Sequence, residues 1–313
     1  MTTVANIGER QTITQLTSLL STSNSIVVGP GDDCAVVKMP SDPDHDYLLT
    51  SDPVIEGIHF ESGTTPSLIG NKAIGRVLSD IAAMGGQPLH ALINIVAPSD
   101  TETSLLAEIM SAANSLAASH KLTITGGDLS NGPLIELHVF ATGFLPSGSA
   151  LLRSKAAPGD HLFVTGSLGG SRSGKHLSFT PRVAEGIWLR DWASAMIDLS
   201  DGLSVESNIV ASMSSVGIRL NQPDIPISDA AQDNIQPPAP LHRALNDGED
   251  FELLFTIPPR KRDTFLAQWK STFTLKCTCI GEITDNTSIV EMLHQDGHLS
   301  NVSPAGYQHF VHA

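Results

Sequence analysis

The sequence predicts an α/β protein built as two domains. Its 313 residues are 41% hydrophobic, enough to bury a substantial core and long for a single domain. Apolar strand-like runs alternate with stretches of helical periodicity along most of the chain. Midway, residues 146–160 read PSGSALLRSKAAPGD, a run of small residues, Pro and Gly between two regions that each carry a full set of elements. The boundary falls there, giving domains of residues 1–147 and 148–313.

An amphipathic helix is expected near residues 7–20, followed by strands at SIVVG, CAVVKM and YLLTSD. The next helix lies in PSLIGNKAIGRVLSDIAAMGG. Ile69, Ile74, Leu78 and Ile81 recur there at near-helical spacing, with Pro66 near the start and Gly85-Gly86 at the end. LHALINIVAP reads as a buried strand, TETSLLAEIMSAANSLAASH as a helix capped by Thr101 or Thr103, and KLTITGGD as the following strand. LIELHVFATGF closes the first half. Beyond the junction, HLFVTGSLG, AMIDLSDG, FELLFTI and LKCTCIGEI are strand candidates among helices such as LSVESNIVASMSSVG. The chain has no heptad array, solenoid-length repeat or extended low-complexity tract.

A formal charge of −15, from 18 Lys and Arg against 33 Asp and Glu, argues against a nucleic-acid partner, which would need a basic footprint. It favours cations. No stretch approaches the roughly 20 apolar residues that span a bilayer, and the N-terminus lacks a basic region and an apolar signal core. A cytoplasmic protein with no membrane partner is expected. The three cysteines, with Cys277 and Cys279 two apart in LKCTCIGEI, form neither an even disulfide framework nor a four-ligand zinc pattern, and read most simply as strand residues.

Acidic residues collect where these elements end: Asp32 and Asp33 in VVGPGDDCAVV, Asp52 in LLTSDPVIEGIHF, Asp80 in VLSDIAAMGG, Asp128 in ITGGDLSNG, and Asp198 and Asp201 in IDLSDGL. An Asp beside Gly or Ser forms turns and caps helices, so each alone reads as structural. Brought together from separate strand ends, they would repel strongly in a partly desolvated cleft, so convergence demands bound cations or paired basic groups. Oxygen ligands without a Cys or His cluster point to hard ions. Mg²⁺ in particular is held by a few carboxylates, waters and substrate phosphates, which suggests a nucleotide substrate. The string GxxxxGK[ST] is absent, and GSLGGSRSG at 166–174 matches a dinucleotide fingerprint poorly. GSLGG either wraps phosphate through backbone N–H groups or is a plain Gly-rich turn.

The motifs GDDCAVV, TSDPVIEGIHF, LSDIAAMGG, GGD, LRSKAAPGD, IDLSDGL, DGEDFELLF and GYQHF run in order from about residue 27 to 310. In this series the chain resembles the thiamine-monophosphate kinase family, within the aminoimidazole-ribonucleotide-synthetase-like (PurM-type) ATP-binding superfamily. The resemblance implies an N-terminal mixed-sheet domain whose strands form a barrel across a homodimer. A C-terminal α/β domain would complete the active site, with ATP bound between the two. It places several Mg²⁺ ions on Asp33, Thr50, Ser51, Asp52, Asp80, Asp128, Asp198 and Asp201, and leaves Asp32 to order its turn. ATP contacts fall on Gly127, Asp128, Arg153 and Ser200, and substrate contacts on His59, Glu249 and Tyr307. Asp80, Asp128, Arg153 and Asp201 form the implied catalytic set.

The implied reaction moves the γ-phosphoryl group of ATP to thiamine monophosphate. Arg153 would offer a bidentate phosphate contact, and Tyr307 would stack on the cationic thiazolium or the pyrimidine. The chain departs from the family pattern in four places. Val77 stands where Asn usually precedes LSD, Leu129 and Asn131 stand where Thr and Arg follow GGD, and the connection between Gly170 and His176 lacks a longer helical segment. That shorter connection predicts a more open acceptor side. Two alternatives stay open: a superfamily enzyme using ATP on another small substrate, and a catalytically weak nucleotide-binding paralogue.

Overall fold

The structure, a computed structural model, describes residues 3–234, 236–307 and 310. Two short helices, α1 (Val4–Ile7) and α2 (Glu9–Thr17), precede a six-stranded mixed sheet. Its strands are β1 (Ile26–Val28), β2 (Ala35–Met39), β3 (Asp42–Ile55), β4 (Gln87–Ala97), β5 (Thr123–Asn131) and β6 (Glu136–Pro146), in the order β1-β2-β3-β6-β4-β5. β3 and β6 pair antiparallel without a break from His45↔Pro146 to Ile55↔Glu136. β4 and β5 run parallel, joined by helix α4 (Thr103–Ser119) as a parallel pair requires.

Helix α3 (Pro66–Ala83) connects β3 to β4 and opens with Pro66 in its first turn, where a missing N–H costs nothing. The same helix packs against β3, β6 and α4 on one side and against elements of the second half on the other. Those elements are α5 (Lys175–Ser178), α6 (Val183–Leu189) and β8 (Met196–Asp198). Ile74, Val77, Leu78 and Ile81 are wholly buried in this sandwich. One apolar core therefore runs from Cys34 through α3 to Phe163, Phe255, Phe265 and Trp269.

The second sheet takes its seven strands from β7 (His161–Thr165), β8, β9 (Gly217–Asn221), β10 (Leu253–Ile257), β11 (Cys277–Thr284), β12 (Val290–Leu293) and β13 (Leu299–Asn301). They lie in the order β13-β12-β9-β11-β7-β10-β8. Helices α7 (Leu203–Ser214), α8 (Asp229–Gln232), α9 (Pro240–Asn246) and α10 (Arg262–Thr272) complete the chain. Among the described residues no helix is long and apolar enough to cross a membrane.

The helix expected near 7–20 is α2, Glu9–Thr17, set off from α1 by Gly8 at φ 78, and neither helix buries a residue. Ile13, Leu16, Leu19 and Leu20 are all exposed. Glu102, rather than Thr101 or Thr103, is the N-cap of α4, with Thr103 inside the helix. The face of the first sheet turned away from α3 is open and apolar, with Leu49, Leu92 and Phe140 exposed.

Candidate active site

Side chains from the turn before β2, the middle of β3, the last turns of α3 and the end of β8 converge. Asp33, Asp80 and Asp198 each offer one oxygen there, and these atoms lie within 4.8 Å of one another. Thr50 Oγ1 donates to Asp80 Oδ2, and Ser79 Oγ donates to Asp198 Oδ2 at 2.6 Å. Burial, followed by the charges of Asp52, Asp198 and Asp33, pushes the Asp80 carboxyl well above its ordinary range. Burial and the Asp33 charge push Asp198 up to about 7.

Mutual repulsion of this kind is what a bound cation relieves, and the donors are all oxygens. Cys34 beside them is buried, and burial and the same three carboxylates push its thiol pKa well up, so it stays neutral and outside the donor set. The residues present therefore fit Mg²⁺.

Arg153 grips the edge of this cluster. Its Nη2 donates to Asp33 Oδ1 at 2.6 Å and its Nε to Asp33 Oδ2 at 3.3 Å, while its backbone N–H donates to Asp32 Oδ1 at 2.8 Å. The adjacent aspartates thus divide their work. Asp33 faces the cluster, and Asp32 ties its turn to the segment that carries Arg153.

One helical turn before Asp80 stands Arg76, and one turn before that Lys72, so residues 72, 76 and 80 share a face of α3. Lys72 is wholly buried. Its Nζ donates to the His59 carbonyl at 2.7 Å and lies 2.7 Å from Glu249 Oε1 and 2.8 Å from His176 Nδ1. Arg76 Nη2 donates to Asp52 Oδ1 at 2.7 Å, and its Nη1 lies 3.4 Å from Glu249 Oε1. Burial works to raise the Glu249 pKa, but the His176 contact, then Lys72 and Arg76, overcome it and hold the carboxyl at about 2.

Backbone contacts knit the surrounding motifs together. The Glu249 N–H donates to the Ser200 carbonyl at 2.6 Å and the Tyr307 N–H to the Asp201 carbonyl at 3.0 Å. Gly248, at φ 70, has no room for a side chain, since a Cβ would stand 2.9 Å from the Ser200 oxygen. Glu249 and Phe251 themselves adopt φ 53 and 49, left-handed values that cost on the order of 1 kcal/mol each for a side-chain-bearing residue. The buried Glu206 of α7 accepts the Asp201 N–H at 2.9 Å, and among the described residues its second oxygen has no hydrogen-bond partner.

GSLGG proves to be the plain turn. Gly169 N–H donates to Asp250 Oδ2 at 2.9 Å and Gly170 N–H to Asp247 Oδ2 at 3.0 Å, so these donors are spent on the chain's own carboxylates. Burial raises Asp250 to about 7 against the opposing pull of Lys175. Its folded-state pKa thus exceeds the unfolded value of about 3.9, so stability falls as pH rises between the two and levels off above 7. Asp250→Asn keeps an acceptor for Gly169 and removes that slope. Its stability relative to wild type should climb from pH 5 to about 7 in denaturant unfolding, and a pH-independent difference would refute the assignment.

Residues 31–145 match the family model for the AIR synthase related protein, N-terminal domain. The thiamine-monophosphate kinase of Buchnera aphidicola subsp. Schizaphis graminum is 33% identical over 307 residues, covering 91% of this chain and 93% of that protein. The chain belongs to the thiamine-monophosphate kinase family. The Escherichia coli K12 member is 32% identical, with 91% and 93% covered. A structure of AaThiL complexed with AMPPCP and TMP superposes at a TM-score of 0.85 with 30% identity, over 99% of both chains.

Of the positions that the family resemblance marks, Asp33, Thr50, Asp52, Asp80, Asp198 and Arg153 come together around the carboxylates. His59 and Glu249 meet at Lys72, while Ser200 and Asp201 reach Glu249 and Tyr307 through their main chain. Others lie elsewhere. Strand alternation turns Ser51 to the opposite face from Thr50 and Asp52, beside the exposed Phe140. Gly127 and Asp128 are exposed on the edge strand β5, where Asp128 accepts from Ser130 Oγ at 3.2 Å. Gln308 and His309 of GYQHF lie outside the described residues.

Val77, where the kinase family usually has Asn, is wholly buried in the α3 core. The short Gly170–His176 connection leads straight into α5 and delivers His176 to Glu249, at 3.2 Å from Oε2. Lys72, Arg76, Ser79, His176 and Glu206 escaped the sequence argument. The signal for the first two was there: cations four apart leading up to Asp80 on a helix that is otherwise largely apolar.

Proposed function

We propose that the chain transfers the γ-phosphoryl group of ATP directly to the phosphate of thiamine monophosphate, giving thiamine diphosphate and ADP with the help of Mg²⁺. The observation that carries this reading is the Asp33, Asp80 and Asp198 cluster, gripped by Arg153 and joined along one face of α3, through Arg76 and Lys72, to the Glu249 carboxylate. Membership of the kinase family and the likeness to AaThiL with AMPPCP and TMP support the choice of both substrates.

Asp33, Asp80 and Asp198 would hold Mg²⁺, whose charge offsets the repulsion between two anionic substrates. The acceptor phosphate oxygen is ionised near neutral pH, so the chain needs no strong general base. What it must do is position. Arg153, 19% exposed, presents its guanidinium at the cluster edge, where a phosphate can share it with Asp33. Glu249 is held by Lys72 at 2.7 Å and Arg76 at 3.4 Å, which balance its charge, so the Tyr307 ring would supply the face a thiazolium prefers.

Residues 1–147 supply Asp33 and Asp80, and residues 148–313 supply Asp198 and Glu249, so the substrates would lie between the two domains. ADP release should therefore saturate with thiamine monophosphate. Tyr307→Ala should raise KM for that acceptor about tenfold, as expected for a lost aromatic–cation contact, and shift KM for ATP by less than about twofold. Equal losses for both substrates with a lower melting temperature would mark Tyr307 as a packing residue only.

A homodimer fits the open apolar face at Leu49, Leu92 and Phe140, which a second copy would cover about a two-fold axis. Light scattering at micromolar concentration should give twice the 33.1 kDa chain mass. A monomer would contradict this arrangement.

A further inference from the structure

We propose that Arg76 takes, as fixed charge, the place of a divalent cation at Asp52, so that without nucleotide the chain holds a single tightly bound metal ion. The proposal rests on the Mg²⁺-dependent reading above. Asp52 is the foremost like-charge neighbour of Asp80, yet it is not among the carboxylates whose oxygens come within 4.8 Å of one another. Its Oδ1 instead accepts Arg76 Nη2 at 2.7 Å, with the two side chains 15% and 20% exposed.

The guanidinium is firmly seated. It also contacts Glu249 at 3.4 Å, lies 5.9 Å from the centroid of the Phe251 ring, and stands one helical turn from Asp80 on a buried helix. A charge held this way cannot move aside for a second cation without leaving Asp52, Glu249 and the ring together. Charge balance agrees. With Glu249 offset by Lys72, the carboxylates of Asp33, Asp52, Asp80 and Asp198, once all ionised, face the guanidiniums of Arg153 and Arg76, a deficit of two charges that one divalent ion fills.

The test uses Mn²⁺ alone as the probe, with the full chain free of nucleotide, and reads free Mn²⁺ by electron paramagnetic resonance. Wild type should bind one ion tightly. Arg76→Gln should bind a second at least tenfold more tightly than wild type does, Arg76→Lys should behave as wild type, and Asp52→Asn added to Arg76→Gln should abolish the second ion. Two tight ions in wild type, an unchanged isotherm for Arg76→Gln, or a second ion that survives the Asp52→Asn change would each overturn the proposal. Asp80→Asn separates the two ideas. If it leaves the first tight ion in place, the carboxylate-cluster reading fails, whatever Arg76 does.

Discussion

Asp80→Asn lowers kcat by about a thousandfold or more and leaves the metal-free protein at least as stable as wild type. The catalytic loss follows from removing one of three convergent oxygens at a site asked to supply several kcal/mol of charge stabilisation, at about 1.4 kcal/mol for each factor of ten. The stability result follows from crowding. Asp80 is buried among Asp52, Asp198 and Asp33, which push its carboxyl well up in the folded state. Without metal, ionising it at neutral pH therefore disfavours folding, and a neutral amide removes that cost while still accepting from Thr50. Unfolding in EDTA at pH 7.5 checks the second half. A variant that melts well below wild type, or one that keeps full turnover, contradicts the assignment of Asp80 to the metal.

Glu252→Ala destabilises the protein by about 3–5 kcal/mol, the range expected when one member of a buried ion cluster is removed. Glu252, 2% exposed, accepts Arg182 Nε at 2.7 Å and Nη2 at 2.8 Å, Lys175 Nζ at 3.1 Å and Thr165 Oγ1 at 2.8 Å. Its loss leaves Arg182 without a carboxylate partner and Lys175 with Asp250 alone, at 3.7 Å. Glu252→Gln keeps the shape and part of the hydrogen bonding, and should lose less. Denaturant unfolding measures both, and a loss under about 1 kcal/mol for the alanine variant would show that water reaches the freed cations.

The framework was legible wherever a period was long. Helix α3 and strands β4 and β6 follow from apolar spacing alone, and so does the position of Asp80 near the end of a buried helix. The carboxylates were visible as residues, but their partition was not, because it depends on which face each strand shows to α3. Alternation along β3 separates Ser51 from Thr50 and Asp52, and the edge position of β5 leaves Asp128 exposed. The arginine partners Arg76 and Arg153 are set by tertiary approach, across 24 and 120 residues of sequence. GSLGG could be taken for a phosphate loop because nothing in its sequence shows that Asp250 and Asp247 occupy its N–H groups. The N-terminal helix α2 marks another limit, since amphipathic spacing says nothing about whether a partner face exists for Ile13 and Leu16.

Direct phosphoryl transfer to the acceptor phosphate at the carboxylate cluster is read by ³¹P NMR of the chain with MgATP and thiamine monophosphate. The diphosphate signals of thiamine diphosphate should grow at the rate at which ADP forms, in wild type and not in Asp80→Asn or in EDTA. Release of inorganic phosphate in step with ADP, with the thiamine monophosphate signal unchanged, would contradict it.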